Sequence, residues 1–303
     1  MSLYLKYRPA DLNQVKGNQD IVVALEGMLK DKETCPHSFL LHGPTGCGKT
    51  TIGRIITTRL GCIGSDFREV DSADFRGIDT IREIRKSSSF KGIEGDTRVW
   101  LIDECHKLTN DAQNALLKIL EDTPSHVYFI LCTTEPQKLL PTIKGRCMQF
   151  QVNTLDERNM ILLLKKIVHN EGAKVEDAVY SQIVLDSLGR PRNAIQILEQ
   201  VLNVAPERRL DMAKQTAEKQ SQAIELCRAL GKKAPWKTIA PILEGLKDQE
   251  AESIRRVVLG YCQAVLLKKD DPIYGLILEE FINPFYDSGY PQLVYACYSV
   301  TKN

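Results

Sequence analysis

Gly43-Pro44-Thr45-Gly46-Cys47-Gly48-Lys49-Thr50 sets glycines, a lysine and a hydroxyl in the order G-x-x-x-x-G-K-[ST]. That spacing suits the capture of a nucleoside triphosphate. The glycines let successive backbone N–H groups curl around an anion, Lys49 would neutralise the β- and γ-phosphates, and Thr50 would offer its hydroxyl to Mg2+. Thr45, Gly46, Cys47, Gly48 and Thr51 complete the expected cradle. A second signal is Val99-Trp100-Leu101-Ile102-Asp103-Glu104, an apolar run that ends in two carboxylates. Asp103 is placed to hold Mg2+, directly or through water, and Glu104 to polarise an attacking water. A third run, Val127 to Cys132, ends in Thr133-Thr134. A hydroxyl at that tip, with Thr134 as the candidate, could bond the γ-phosphate or the water.

These groups need strands that end together at one edge. The run Ser38-Phe39-Leu40-Leu41-His42 predicts a strand leading into the glycine loop, and Ile52 to Ile56 predicts the helix whose N-terminus adds its dipole there. The apolar run before Asp103 suits a strand buried on both faces, as in a parallel sheet covered by helices. Carboxylates at its end emerge where ligands bind in open α/β sheets. Phe67-Asp71 and Met148-Val152 predict two further strands. Asp111 to Glu121 predicts an amphipathic helix with Ala112, Ala115, Leu116, Ile119 and Leu120 on one face. The fold class expected is therefore α/β, with a parallel, helix-covered sheet through about residue 152. Helices follow it: Leu155 to Val168, Val175 to Leu188, Arg192 to Leu202, and amphipathic ones from Pro206 on.

At 303 residues the chain exceeds the size at which single cores stop growing, so two or three domains are expected. A net charge of +1 gives no support to a globally basic nucleic-acid binder, so any DNA contact must come from a local surface or from several copies. The nine cysteines include no C-x-x-C pair, which argues against a zinc module or a secreted disulfide framework. Lys6 and Arg8 interrupt the N-terminus, against a secretory signal, and no apolar run approaches the roughly 20 residues of a membrane span. A cytoplasmic location is expected, in a bacterial or phage-infected cell, with no membrane partner.

The ordered set of motifs resembles the AAA+ clamp-loader ATPases, and is similar to that of the bacterial DNA polymerase III gamma/tau subunit and of the small subunits of replication factor C. The likeness is carried by Leu5-Lys6-Tyr7-Arg8-Pro9 with Val15-Lys16-Gly17-Asn18-Gln19, and by Glu69 to Ala73 with Arg76-Gly77-Ile78-Asp79. Leu131 to Leu139, Gly145-Arg146-Cys147 and Gly189-Arg190-Pro191-Arg192-Asn193-Ala194 extend it over about residues 3 to 205. Two departures stand out. The bacterial subunit's four-cysteine zinc insertion is absent, with only Cys62 in that stretch, and the family's Ser-Arg-Cys reads Gly145-Arg146-Cys147.

The resemblance implies an ATPase domain over 1–154, a helical lid over 155–205, and a helical collar over 206–303. That last segment has balanced charge and no catalytic constellation, so an unrelated partner-binding domain is the alternative. Tyr7, Arg8, Pro9 and Val15 would line the adenine pocket. Arg192 would point to the γ-phosphate of its own chain, whereas Arg146 would reach the nucleotide of a neighbour as an arginine finger. ATP with Mg2+ would be the cofactor pair. The partners implied are a sliding clamp, primer-template DNA and other clamp-loader subunits in a pentameric ring. Arg82, Arg85, Lys86 and Lys118 are candidates for DNA phosphates or else form a solvated face; Gln113 and Asn114 would relay that contact. Phe90 and Ile93 would be clamp anchors or else pack onto their own domain. Other nucleic-acid AAA+ machines, a helicase loader or a branch-migration motor, and a non-hydrolysing scaffold subunit are the alternative functions.

Overall fold

The computed structural model describes residues 2–302 apart from 73, 248, 268, 269, 286 and 287, with backbone alone at 211, 214–221 and 264. Ala73, one of the residues carrying the resemblance, thus lies outside the described residues. The chain divides into two compact units, Met1–Pro206 and Glu207–Asn303.

The first unit is built on five strands, β1 Ser38–His42, β2 Phe67–Asp71, β3 Arg98–Asp103, β4 Val127–Thr133 and β5 Met148–Gln151. They form one sheet in the order β2-β3-β4-β1-β5, parallel throughout. Side chains alternate between the faces of a strand, and here both faces are dry. Phe39, Leu41, Val99, Leu101, Tyr128, Ile130 and Cys132 pack with α2 (Gln19–Met28) and α3 (Lys49–Arg59). Leu40, Trp100, Ile102, Phe129 and Leu131 pack with α4 (Ile78–Ser88) and α5 (Asn110–Glu121). This parity is why the central strands read as unbroken apolar runs. A four-residue helix α1 (Leu3–Lys6) precedes the sheet, and α6 (Pro141–Lys144) leads into β5.

Three helices close this unit: α7 Glu157–Asn170, α8 Asp177–Ser187 and α9 Pro191–Leu202. The expected start of α7 at Leu155 falls two residues later, because the Asp156 carboxylate caps it by accepting the Asn159 N–H at 2.7 Å. Pro191 occupies the first turn of α9, where its missing N–H costs nothing. Helix α1 is tied to this group: the Leu3 N–H donates to Glu199 Oε1 at 3.1 Å, and both Lys6 Nζ and the Tyr7 hydroxyl donate to Glu171.

The second unit is all helical: α10 Arg209–Gly231, α11 Trp236–Gly245, α12 Ala251–Leu266, α13 Pro272–Phe281 and α14 Gly289–Lys302. Its core includes Leu226, Leu230, Ile254, Val258, Ile277, Phe281 and Leu293. Glu252, buried on α12, receives two 2.7 Å hydrogen bonds from Arg255 and one from the Phe285 N–H. Arg255 also donates to the carbonyls of Phe281 and Ile282 at the end of α13, so one buried ion pair stitches two helices. That pairing with Arg255 holds the Glu252 carboxyl at about 2, against the desolvation that opposes it. Among the described residues no helix is long and apolar enough to cross a membrane, and no cluster of His, Cys, Asp and Glu is suited to a metal ion.

Candidate functional site

The glycine loop runs from the C-terminal end of β1 into α3, and its backbone explains its composition. Gly43 has φ +145°, and a Cβ there would sit 2.1 Å from the Val152 carbonyl oxygen, so only glycine fits. Gly48 has φ +102° directly before the first residue of α3, Lys49. Lys49 is buried, and its ammonium donates to the carbonyls of Gly43 and Pro44, each at 2.9 Å. Burial lowers its pKa, an effect that the nearby Asp103 and Glu104 carboxylates oppose.

Asp103 ends β3, two strand spacings (about 10 Å) from β1 with β4 between them. Its Oδ2 accepts the Thr50 hydroxyl at 2.7 Å and its Oδ1 accepts the Glu104 N–H at 2.9 Å. Thr45, Gly46, Gly48, Lys49, Thr50, Thr51, Asp103, Glu104 and Arg192 line one polar cleft. Glu104 holds φ +49°, ψ 37°, a left-handed conformation that costs a non-glycine residue of order 1–3 kcal/mol. Such strain persists only where the surroundings fix it, and here the surroundings include His106. This imidazole is buried, with Nδ1 3.0 Å from Thr133 Oγ1 and Nε2 close to the carboxylates of both Glu104 and Glu135. The strand-tip hydroxyl that joins the acidic site is therefore that of Thr133. Thr134 is half-buried beside it, and neither threonine is among the cleft's lining residues.

Next to the phosphate cleft is an apolar slot. Tyr7, Arg8, Pro9 and Val15 line it together with Cys47, Gly48, Thr51, Ile52, Leu155, Leu163, Pro191 and Ile195. Arg192 borders both cavities. Its N–H donates to the Gly46 carbonyl at 3.4 Å, which seats the start of α9 on the loop, and its guanidinium lies 5.9 Å from the centre of the Tyr4 ring. Every residue expected at the base and the triphosphate thus falls in one of two adjoining cavities, Thr134 and Arg146 excepted.

Arg146 stands elsewhere. It precedes β5, whose Met148 is in register with Phe39 near the start of β1, whereas the glycine loop follows the end of β1. The two lie at opposite edges of the sheet, about 15 Å or more apart along the strands. There Arg146 donates to the Thr142 carbonyl at 3.0 Å, pairs with Glu121, and borders a hollow with Pro36, His37 and Thr123.

Of the four basic candidates, Arg82, Arg85 and Lys118 line one groove between α4 and α5 with Asn114, while Lys86 is exposed on α4 outside it. Gln113 is buried on α5, donating to the carbonyls of Leu108 and Lys138 and accepting the Leu140 N–H at 3.0 Å. Phe90 and Ile93 are 64% and 79% exposed, which rules out the expectation that both pack onto their own domain. Their loop is fixed from below by Asp66, which is fully buried. Its carboxylate accepts the N–H groups of Ile93, Glu94 and Gly95 at 2.8–3.0 Å and faces Arg98 at 3.3 Å. Burial alone would push this carboxyl up, but those hydrogen bonds outweigh it and hold it at about 2. Asp66, Arg98, His106 and Thr133 carry no motif; the only available signal was their charge or hydroxyl at the rim of an apolar strand.

A family model described as DNA polymerase III, delta subunit, matches residues 64–156. The gamma/tau subunit of DNA polymerase III from Mycobacterium bovis is 37% identical over 225 residues, 67% of this chain and 39% of that protein. The tau subunit from Bacillus subtilis is 33% identical over 223 residues, covering 67% and 39%. The gamma subunit from the Buchnera of Schizaphis graminum is 33% identical over 222 residues, covering 66% and 61%. The chain therefore spans only about two fifths of the first two relatives. Among solved structures, the Thermotoga maritima RuvB Holliday junction branch migration motor superposes with a TM-score of 0.60 at 21% identity, over 74% of this chain and 79% of that one. That is a likeness of fold alone. With the glycine loop, the acidic strand tip and the α9 arginine lining one cleft, the chain has the AAA+ fold and is similar, over about two thirds of its length, to the gamma/tau subunits of DNA polymerase III.

Proposed function

We propose that this chain is an ATP-hydrolysing subunit of a ring that opens a sliding clamp and loads it on primer-template DNA. The observation that carries the reading is the division of the catalytic set: Lys49, Thr50, Asp103, Glu104 and Arg192 share one cleft, while Arg146 lies at the far edge of the sheet. The adenine would occupy the slot of Tyr7, Arg8, Pro9 and Val15. Lys49 and the loop N–H groups would hold the phosphates, and Arg192 would reach the γ-phosphate from the start of α9.

Thr50 and Asp103 present oxygen atoms 2.7 Å apart, the hard donor set that Mg2+ takes. When bound, Mg2+ would neutralise charge on the phosphate oxygens. Glu104 would take a proton from water as that oxygen bonds the γ-phosphorus and ADP departs. Arg146 would stabilise the transition-state charge of a neighbouring copy, where such fingers contribute roughly 10³- to 10⁵-fold in rate. Arg82, Arg85 and Lys118, gathered in one groove, support contact with duplex phosphates. Exposed Phe90 and Ile93 support a docking site for the clamp, each buried anchor contributing about 2 kcal/mol.

The test is ATP hydrolysis measured with and without clamp and primed DNA. Stimulation by both is expected. Hydrolysis stimulated by DNA but indifferent to any clamp would favour another nucleic-acid machine, and binding without turnover would favour a scaffold.

A further inference from the structure

The wall that Tyr7 gives to the apolar slot is held from outside the slot. Tyr7 follows the four residues of α1, a helix too short to fix its own end. Its hydroxyl donates to Glu171 Oε1, and Lys6 Nζ donates to the same oxygen at 2.7 Å while standing 5.5 Å from the centre of the Tyr7 ring. Lys6 and then the Tyr7 hydroxyl hold the Glu171 carboxyl below the usual carboxylate range, so it accepts from both as an anion. Glu171 caps the C-terminal end of α7, where its N–H donates to the Ile167 carbonyl at 2.9 Å. It does not line the slot, but Leu163 of the same helix does. Helix α7 therefore supplies one wall and grips another. None of these side chains lines the phosphate cleft.

We infer that Glu171 is a positioning residue for the nucleobase: by fixing the far end of the Tyr7 ring it sets the width of the slot, and so the share of affinity that comes from the base and not from the phosphates. A tyrosine side chain turns about its χ1 and χ2 bonds. Without an acceptor for the hydroxyl the ring is free to leave its place, and ordering it again counts against binding. The inference rests on the slot holding the base in the proposed reaction. It gives the lid a hold on base recognition that runs through one hydroxyl.

Calorimetric titration of the full chain with ATP and with inorganic tripolyphosphate tests it, since only ATP carries a base. Glu171→Ala is expected to weaken ATP binding roughly three- to tenfold, the range of one net hydrogen bond, and to leave tripolyphosphate unchanged. Glu171→Gln keeps an acceptor for the hydroxyl and should recover most of the loss. Tyr7→Phe should match Glu171→Ala, and in that background Glu171→Ala should add less than about twofold. Equal losses for ATP and tripolyphosphate, no loss for ATP, or an undiminished Glu171 effect without the hydroxyl overturns the inference. Should Glu171→Ala fail to fold, Tyr7→Phe carries the test: a loss confined to ATP supports the inference, and any other result overturns it. Val15→Trp, which fills the slot, is run in parallel. If it binds ATP as tightly as wild type does, the slot reading fails and the inference with it; if it weakens ATP while Glu171→Ala does not, only the positioning fails.

Discussion

Lys49 donates to two main-chain carbonyls and makes no ion pair with a carboxylate among the described residues, so its charge is available to phosphates. Lys49→Ala should weaken ATP binding by roughly 10- to 100-fold or more, the range of a charged hydrogen bond. Glu104→Gln should leave binding intact and stop turnover. Fluorescent-nucleotide titration beside a phosphate-release assay separates the two, and a Glu104→Gln variant with the wild-type rate would sink its assignment. The loop residues were legible in the sequence because local backbone demands fix them: Gly43 has no room for a Cβ, and Gly48 needs a positive φ. His106 and Thr133 were not legible. They are 27 positions apart and meet only because β3 and β4 are neighbours in the sheet. The hydroxyl at the β4 tip was anticipated, but the choice between Thr133 and Thr134 depends on strand parity at its last residue.

At the scale of elements, alternation along the central strands decides which helix each residue meets, and that pattern was readable from apolar runs alone. Replacing Phe129, fully buried on the α4–α5 face, with Ala should cost about 3–5 kcal/mol in chemical denaturation. The Asp66 knot left no trace in the sequence, since an acid at a strand entrance reads as a surface residue. Its three N–H partners lie 27–29 positions away. Its folded pKa of about 2 lies below the unfolded value near 3.9. The sign follows: the stabilisation is full above about pH 4 and is lost as pH falls toward 2. Asp66→Asn should lower the Tm by several degrees at pH 7 and narrow the gap from wild type near pH 3. An unchanged gap across that range would remove Asp66 from the account. Glu252 behaves in the same sense in the second unit, through Arg255.

For the whole molecule, the telling distance is the length of the sheet. Arg146 at one edge cannot reach the glycine loop of its own chain at the other, so the proposed reading assigns its contribution to a neighbour. Arg146→Ala should bind ATP nearly as wild type does while losing hydrolysis stimulated by clamp and DNA. Mixing it with Lys49→Ala should restore part of that activity, since an intact loop can then sit beside an intact arginine. In a loader of several different chains, those partners must be present for the rescue. Fast hydrolysis by a monodisperse monomer, indifferent to Arg146, would overturn the ring mechanism. The sequence order announced an arginine beyond the β4 tip but not the edge on which it stands, because that follows from β5 running parallel to β1.

On the proposed reading, the same separation would make turnover a property of pairs, not of chains. An open row of copies holds one complete site fewer than its members, and a closed ring holds as many. The rate per chain would then be no constant of the protein. It should fall on dilution well before the loop loses its nucleotide, so a plot of specific rate against concentration becomes a binding isotherm for the copies themselves.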